Sequence, residues 1–150
     1  HYNFSVPEYQ GVIALIGPDE NPLLGLVSLI APALVGGNTV VCLASEKWPL
    51  SAISFGEVLH ASDIPNGVIN ILTGFNSELA EHFSSHKDVN GVVYCGDNTN
   101  LAKSIQENAS ENVKRVHYYD NIDWLKAEGQ SPYFIIDHSE IKTTWHPIGS

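Results

Sequence analysis

Short apolar runs alternating with stretches of helical periodicity constrain this chain more than any other feature. The run from Gly11 to Ile16, "GVIALI", is bounded by Gly11 and by Gly17-Pro18, which predicts a strand buried on both faces. After it Leu23, Leu26, Val27, Ile30 and Leu34 recur at helical spacing, with Pro22 suited to the first turn and Gly36-Gly37 to a left-handed stop. "NTVVCLAS" predicts a second strand, and Pro49 opens a helix with Ala52, Phe55 and Leu59 on one face, closed by Asp63 and Pro65. "GVINILTG" repeats the strand pattern, and Asn76 is placed as the N-cap of a helix carrying Leu79, Ala80 and Phe83. "VNGVVYCG" leads into a helix with Leu101, Ile105 and Ala109 in phase, and "NVKRVHYY" and "PYFIID" read as the last strands. Strands alternating with helices give parallel β-α-β units. The expected fold is therefore α/β, an open three-layer Rossmann-like sheet, mostly parallel, with helices on both faces. The stretch from Asp120 to Ser131, "DNIDWLKAEGQS", is irregular and reads as a surface loop or part of a helix.

The length of 150 residues supports one domain, residues 1–150. The first residue is His1, and the expectation is a piece of a longer chain. Acidic residues number 17 against 7 basic, a formal charge of −10 that disfavours nucleic acid and anionic membrane as partners. The longest apolar run, Leu23 to Val35, is too short to span a bilayer and contains Pro32, and no signal-peptide pattern is evident. Cys42 and Cys95 each fall in a strand-like run, so two buried free thiols are expected, consistent with a reducing, cytoplasmic setting.

In sheets of this kind ligands bind beyond the carboxyl ends of the strands. The turns to inspect are Gly17 to Asn21, Ala44 to Lys47, Thr73 to Asn76 and Gly96 to Thr99, each leading into a helix N-terminus that favours an anion. Neither the three-glycine dinucleotide fingerprint nor the phosphate loop with its lysine is present.

The stretch from "GVIALIGPDENPLLGL" to "APALVGGNTVVCLASEKWPL", followed by "DIPNGVINILTG", "HKDVNGVVYCGDNTNLAKSI" and "GQSPYFIID", resembles the nucleotide-binding domain of the NAD(P)-dependent aldehyde dehydrogenases. The resemblance runs from about Val6 to Asp137 in the family's order and spacing. "SEKWPL" and the eroded motifs are most similar to the defective second domain of family 16 members. The resemblance implies an NAD-binding fold and a dimeric parent protein. It also implies that "HYNFSVPEY" belongs to the strand entering the domain.

Carried over residue by residue, the resemblance fails where the family does chemistry. Pro18 and Pro22 align with the two prolines of the family's turn after the first strand. Glu20 then stands at the asparagine whose amide holds the oxyanion, and Asp19 at the preceding tryptophan, while Asn21 is one residue out of register. A carboxylate there repels a developing oxyanion, where one good donor is worth about 3 to 4 kcal/mol. The lysine, proline, serine, glutamate motif on the adenosine ribose becomes Leu43, Ala44, Ser45 and Glu46, with Lys47 the nearest amine. The glycine and serine at the pyrophosphate become Gly96 and Asp97. The general-base glutamate falls on Tyr119 counting forward from "NVKRV", or on Lys126 counting back from Gly129. Neither cysteine matches the nucleophile's context, so the chain by itself has no expected catalytic residue. The degenerate cofactor positions are Ser45, Glu46, Gly96 and Asp97, and the eroded ones Glu20, Leu43 and Tyr119.

Blander roles compete at each position. Asp19 and Glu20 are favourable acidic residues at a helix start, Asp97 a helix cap, and Glu46 a cap or ion-pair residue against a surviving ribose contact. His82 and His86 stand at a spacing that zinc uses, but no third ligand accompanies them, and no metal is expected. Ser45, Ser77 and Ser104 belong to no hydrolase motif. The leading expectation is a non-catalytic domain with a structural or protein-interaction role, binding no NAD or binding it weakly, with other domains of its parent or a protein as partner. The alternative is an NAD(H)-binding fragment of an active aldehyde dehydrogenase, and a third is a site for another nucleotide or acyl phosphate.

Overall fold

The structure is a computed structural model that describes residues 1–147, so Ile148 to Ser150 lie outside it. The chain opens with β1 (Tyr2–Tyr9) and enters the body through β2 (Val12–Ile16). It continues through α1 (Pro22–Val35), β3 (Thr39–Leu43), α2 (Leu50–His60), β4 (Ile69–Leu72) and α3 (Asn76–Ser85). Then follow β5 (Gly91–Cys95), α4 (Thr99–Ser110), β6 (Arg115–Tyr119), a 3₁₀ turn (Ala127–Gln130), α5 (Phe134–Asp137) and β7 (Ser139–His146).

Five strands form a parallel sheet in the order β4-β3-β2-β5-β6. The chain winds outward from β2 through β3 to β4, then crosses to the other side for β5 and β6. The order reverses between β2 and β5, and that switch point opens the crevice in which such sheets hold ligands. The fold class expected from the alternation is the one observed.

The central strand shows why the pattern was legible. Ile13, Ala14, Leu15 and Ile16 are all fully buried, since both faces of β2 are covered by helices. Ile13 and Leu15 pack with Leu26, Leu29 and Ala33 of α1 on one face, while Ala14 and Ile16 pack with Ala80 and Phe83 of α3 and Ile105 of α4 on the other. Each large side chain so buried contributes about 1.5 to 3 kcal/mol. Cys42 and Cys95 are buried free thiols in β3 and β5. Among the described residues no helix is long and apolar enough to cross a membrane.

One local expectation is corrected and another is refined. "PYFIID" is not a strand: Phe134–Asp137 form a helical turn, started by Phe134 and Ile135 amides donating to Ser131 and Pro132 carbonyls. A four-residue apolar run carries too little periodicity to distinguish the two. The last strand is instead β7, which pairs antiparallel with β1 along its whole length, from Tyr2 opposite His146 to Tyr9 opposite Ser139. This ribbon is tied by a Ser5–Thr143 hydroxyl bond at 2.7 Å and a Lys142–Glu8 ion pair at 2.7 Å. It pairs segments from the two ends of the chain, which no local pattern announces. Asp120 to Ser131 is, as expected, a mostly exposed loop that runs into a short helix, the 3₁₀ turn, and it also sends Trp124 into the core.

Candidate functional site

The carboxyl ends of β2, β3, β5 and β6 surround a crevice of about 440 Å³. Its walls are the Gly17–Glu20 turn, Glu46 and Lys47, Asn76 and Ser77 at the start of α3, Tyr94 to Asn98 leading into α4, and Tyr119 to Ile122 with Trp124. Asp19, Glu20, Glu46, Asp97 and Asp120 bring five carboxylates to these walls, against the single amine of Lys47. The expected positions Glu20, Glu46, Gly96, Asp97 and Tyr119 therefore do converge. Ser45 is buried just behind the wall, and Leu43 and Lys126 stand apart.

The first turn is tied to the second. The Ser45 hydroxyl donates to Asp19 Oδ1 at 2.6 Å and accepts from the Trp48 amide at 3.1 Å, while Lys47 pairs with Asp19 Oδ2 at 3.3 Å. Partial burial raises the Asp19 carboxyl, but the Ser45 and Lys47 contacts outweigh it and hold the group below the usual carboxylate range. Asp19 thus serves as a clasp between two loops. It is not the helix-start acid expected from its position, since α1 begins at Pro22 after Asn21 in a left-handed conformation and has no acidic residue in its first turn.

Two further helix starts are occupied by the chain's own acceptors. Glu46 accepts a hydrogen bond from the Asn76 amide at the beginning of α3. Asn76 does not cap that helix: it is the first helical residue, and its side-chain Oδ1 is buried without a partner among the described residues. At α4 the cap is Asn98, whose Oδ1 accepts from the Leu101 amide at 3.1 Å. Asp97, the expected cap, is exposed one residue earlier. At each of these two helix starts one of the free amides already has a side-chain acceptor from the chain.

Gly96 has an internal reason to be glycine. A Cβ there would come 2.6 Å from the Tyr94 hydroxyl oxygen, and Tyr94 is fixed by stacking on Tyr118 at 5.6 Å with 8° between the rings. Burial raises the Tyr94 phenol, which stays protonated at neutral pH.

The two positions where the general base was expected hold a phenol and an ammonium. The Tyr119 phenol donates to Asp137 Oδ2 at 2.6 Å, and burial together with that carboxylate pushes its pKa far up. Lys126 is an exposed ammonium paired with Asp123 at 3.0 Å. Leu43 is fully buried against Ala14 and Ile16, so its side chain faces the core and not the ligand space. Burial pushes the Cys42 thiol up to about 12 and raises that of Cys95 further, the reverse of what a nucleophile needs. His86 Nδ1 accepts from the Asp88 amide at 3.3 Å, and among the described residues no three His, Cys, Asp or Glu side chains gather as a metal site.

Sequence reasoning missed Tyr94, Asn98 and Trp124. Trp124 lay inside an irregular stretch with no period to mark it as core. Its one advance signal was Gly25 in the middle of the apolar α1 face, where a Cβ would meet Pro18 Cγ at 2.4 Å and the indole at 3.2 Å.

Residues 1–146 match the sequence model of the aldehyde dehydrogenase family. The chain is 36% identical over 126 residues to the NADP/NAD-dependent aldehyde dehydrogenase PuuC of Escherichia coli, covering 84% of this chain and 24% of that one. It is 40% identical over 139 residues to human retinaldehyde dehydrogenase 3, covering 92% of this chain and 26% of that one. Among solved structures, a mutant aldehyde dehydrogenase C from Pseudomonas syringae, in complex with NAD+ and octanal, superposes with a TM-score of 0.75 at 33% identity. That match covers 79% of this chain and 24% of the other. The chain spans about a quarter of the length of the relatives it matches.

Proposed function

The chain belongs to the aldehyde dehydrogenase family, and from that premise we propose that it is a non-catalytic domain of the family's nucleotide-binding type, serving a structural or protein-interaction role. The observation that carries this reading is the crevice, where among the described residues five carboxylates face one amine, and where Glu46 and Asn98 each hold one amide of a helix start. A diphosphate entering it would meet like charge in a partly desolvated setting, where such repulsion is strengthened. The residues present do not fit NAD. The expected seat of the oxyanion donor is Glu20 and that of the base is Tyr119 or Lys126. None of the three can do that work.

The family 16 reading accords with this pattern: a second, degenerate copy of the fold, residues 1–150 as one domain, within a dimeric parent whose other domains or a protein partner it contacts. Two buried free thiols accord with a reducing compartment. The relatives' NAD chemistry favours the alternative, a fragment that still takes up the cofactor, through Glu46 and Gly96 on the crevice wall.

Isothermal titration of NAD and NADH into the native chain and into a Glu20→Asn, Asp97→Ser variant separates the two. Silence from the native chain with saturable heat from the charge-repaired variant is expected. Saturable micromolar binding by the native chain would overturn the reading and make Glu46 the next residue to substitute.

A further inference from the structure

Trp48 and Trp145 are exposed at 63% and 60%, while Trp124, from the loop after β6, is 3% exposed. Its indole forms part of the crevice wall beside Pro18 and Ile122 and joins the core cluster containing Leu26, Leu29 and Phe134. The loop is built to deliver it. Asn121 takes a left-handed turn at φ 54°, the Leu125 amide donates to Asp123 Oδ1 at 3.1 Å, and Gln130 Nε2 donates to the Trp124 carbonyl at 3.2 Å.

Room for Trp124 comes from two glycines, Gly25 beside its indole and Gly129 beside its main chain. A Cβ on Gly25 would lie 3.2 Å from two indole carbons, and one on Gly129 would lie 2.6 Å from Trp124 Cα. Glycine inside a helix is unfavourable relative to alanine, so Gly25 marks a position where space outweighs helix propensity.

We propose that Trp124 is a built-in occupant of the crevice, an indole filling the ring-sized space beside the Pro18 turn and excluding planar aromatic groups such as a nicotinamide ring. The inference rests on the reading that this crevice has ceased to receive a dinucleotide, and it adds a cause independent of charge. Repulsion by Glu20 and Asp97 acts on any phosphate-bearing ligand, whereas the indole acts only on a ligand that carries a second ring.

The test is Trp124→Gly made in the full chain that already carries Glu20→Asn and Asp97→Ser, compared with that charge-repaired chain and probed with indole, NAD and AMP. Indole is expected to raise the melting temperature of the Trp124→Gly chain and not of the charge-repaired chain that keeps Trp124, NAD to compete with indole, and NAD affinity to rise at least tenfold more than AMP affinity. The proposal is overturned if indole stabilises neither or both, if NAD fails to displace it, or if AMP and NAD gain alike. Charge repair through Glu20→Asn and Asp97→Ser is expected to raise AMP and NAD together, so failure of the charge reading is seen separately.

Should Trp124→Gly not fold, Trp48→Phe with Trp145→Phe leaves Trp124 as the sole indole in an otherwise native chain. Blue-shifted emission that acrylamide does not quench and NAD does not alter is expected. Red-shifted emission, ready quenching by acrylamide, or a change of emission on adding NAD overturns the proposal.

Discussion

The side-chain amide of Asn38 donates to the main-chain oxygen of His138, 2.8 Å away and 100 residues further along the chain. The same amide donates to the Ala33 carbonyl at 2.9 Å, and its oxygen accepts from the Gln10 and Gly11 amides at 2.8 and 3.0 Å. One buried side chain thus uses both donor hydrogens and both lone pairs to bind the end of α1, the exit of β1 and the entrance of β7. The ribbon is fastened to the sheet at this point.

Asn38→Ala would leave buried backbone groups unpaired on three elements. A loss of about 2 to 4 kcal/mol is expected in urea denaturation. Amide exchange along Tyr2–Tyr9 should accelerate more than exchange in β2. A loss below about 1 kcal/mol, or uniform exchange, would show that the ribbon is anchored elsewhere.

His138 is 1% exposed, and its Nε2 has no hydrogen-bond partner among the described residues. Burial, then the neighbouring His117, pulls its pKa down from 6.5 to about 4, against a smaller opposing pull from Asp137. The neutral form is the one the fold accommodates, so its contribution is fully present above pH 6.5 and is lost as pH falls towards about 4. Stability should decline there by up to about 1.4 kcal/mol per pH unit from this group. A His138→Phe variant should show a flatter profile over that window, and an unchanged slope would assign the decline to other groups.

The thiols of Cys42 and Cys95 should resist an aromatic disulfide reagent at pH 8 in the folded protein and react at once in guanidinium. Both are buried, burial holds the Cys42 pKa at about 12, and its Sγ donates to the Asn70 carbonyl at 3.3 Å. Rapid labelling of one thiol under native conditions would reveal an opening that the fold does not show.

Replacing Glu46 with alanine removes the acceptor at the Asn76 amide and a negative charge at the α3 dipole. A cost of about 1 kcal/mol in thermal or chemical unfolding is expected, with any nucleotide binding unchanged. If the variant keeps its stability but loses affinity for NAD, Glu46 is a ribose contact after all.

The extent to which this protein could be read from its residues follows from the range of each interaction. "GVIALI" and "GVVYC" announced buried strands because burial on both faces leaves a continuous apolar run, and Pro22 marked a helix start because its ring fixes φ locally. The order of such units was enough for the parallel sheet, and Glu20, Glu46 and Asp97 were placed on the crevice wall in advance. By itself the sequence determined these things, since each depends on residues within a few positions of one another. Tertiary structure alone decided that Glu46 would accept from the first amide of α3, that Leu43 would point inward, that Trp124 would be buried beside Gly25 on the crevice wall, and that Asn38 would hold β7 to β1. Those contacts join segments far apart in the chain, and their partners are chosen by packing geometry that no local periodicity encodes.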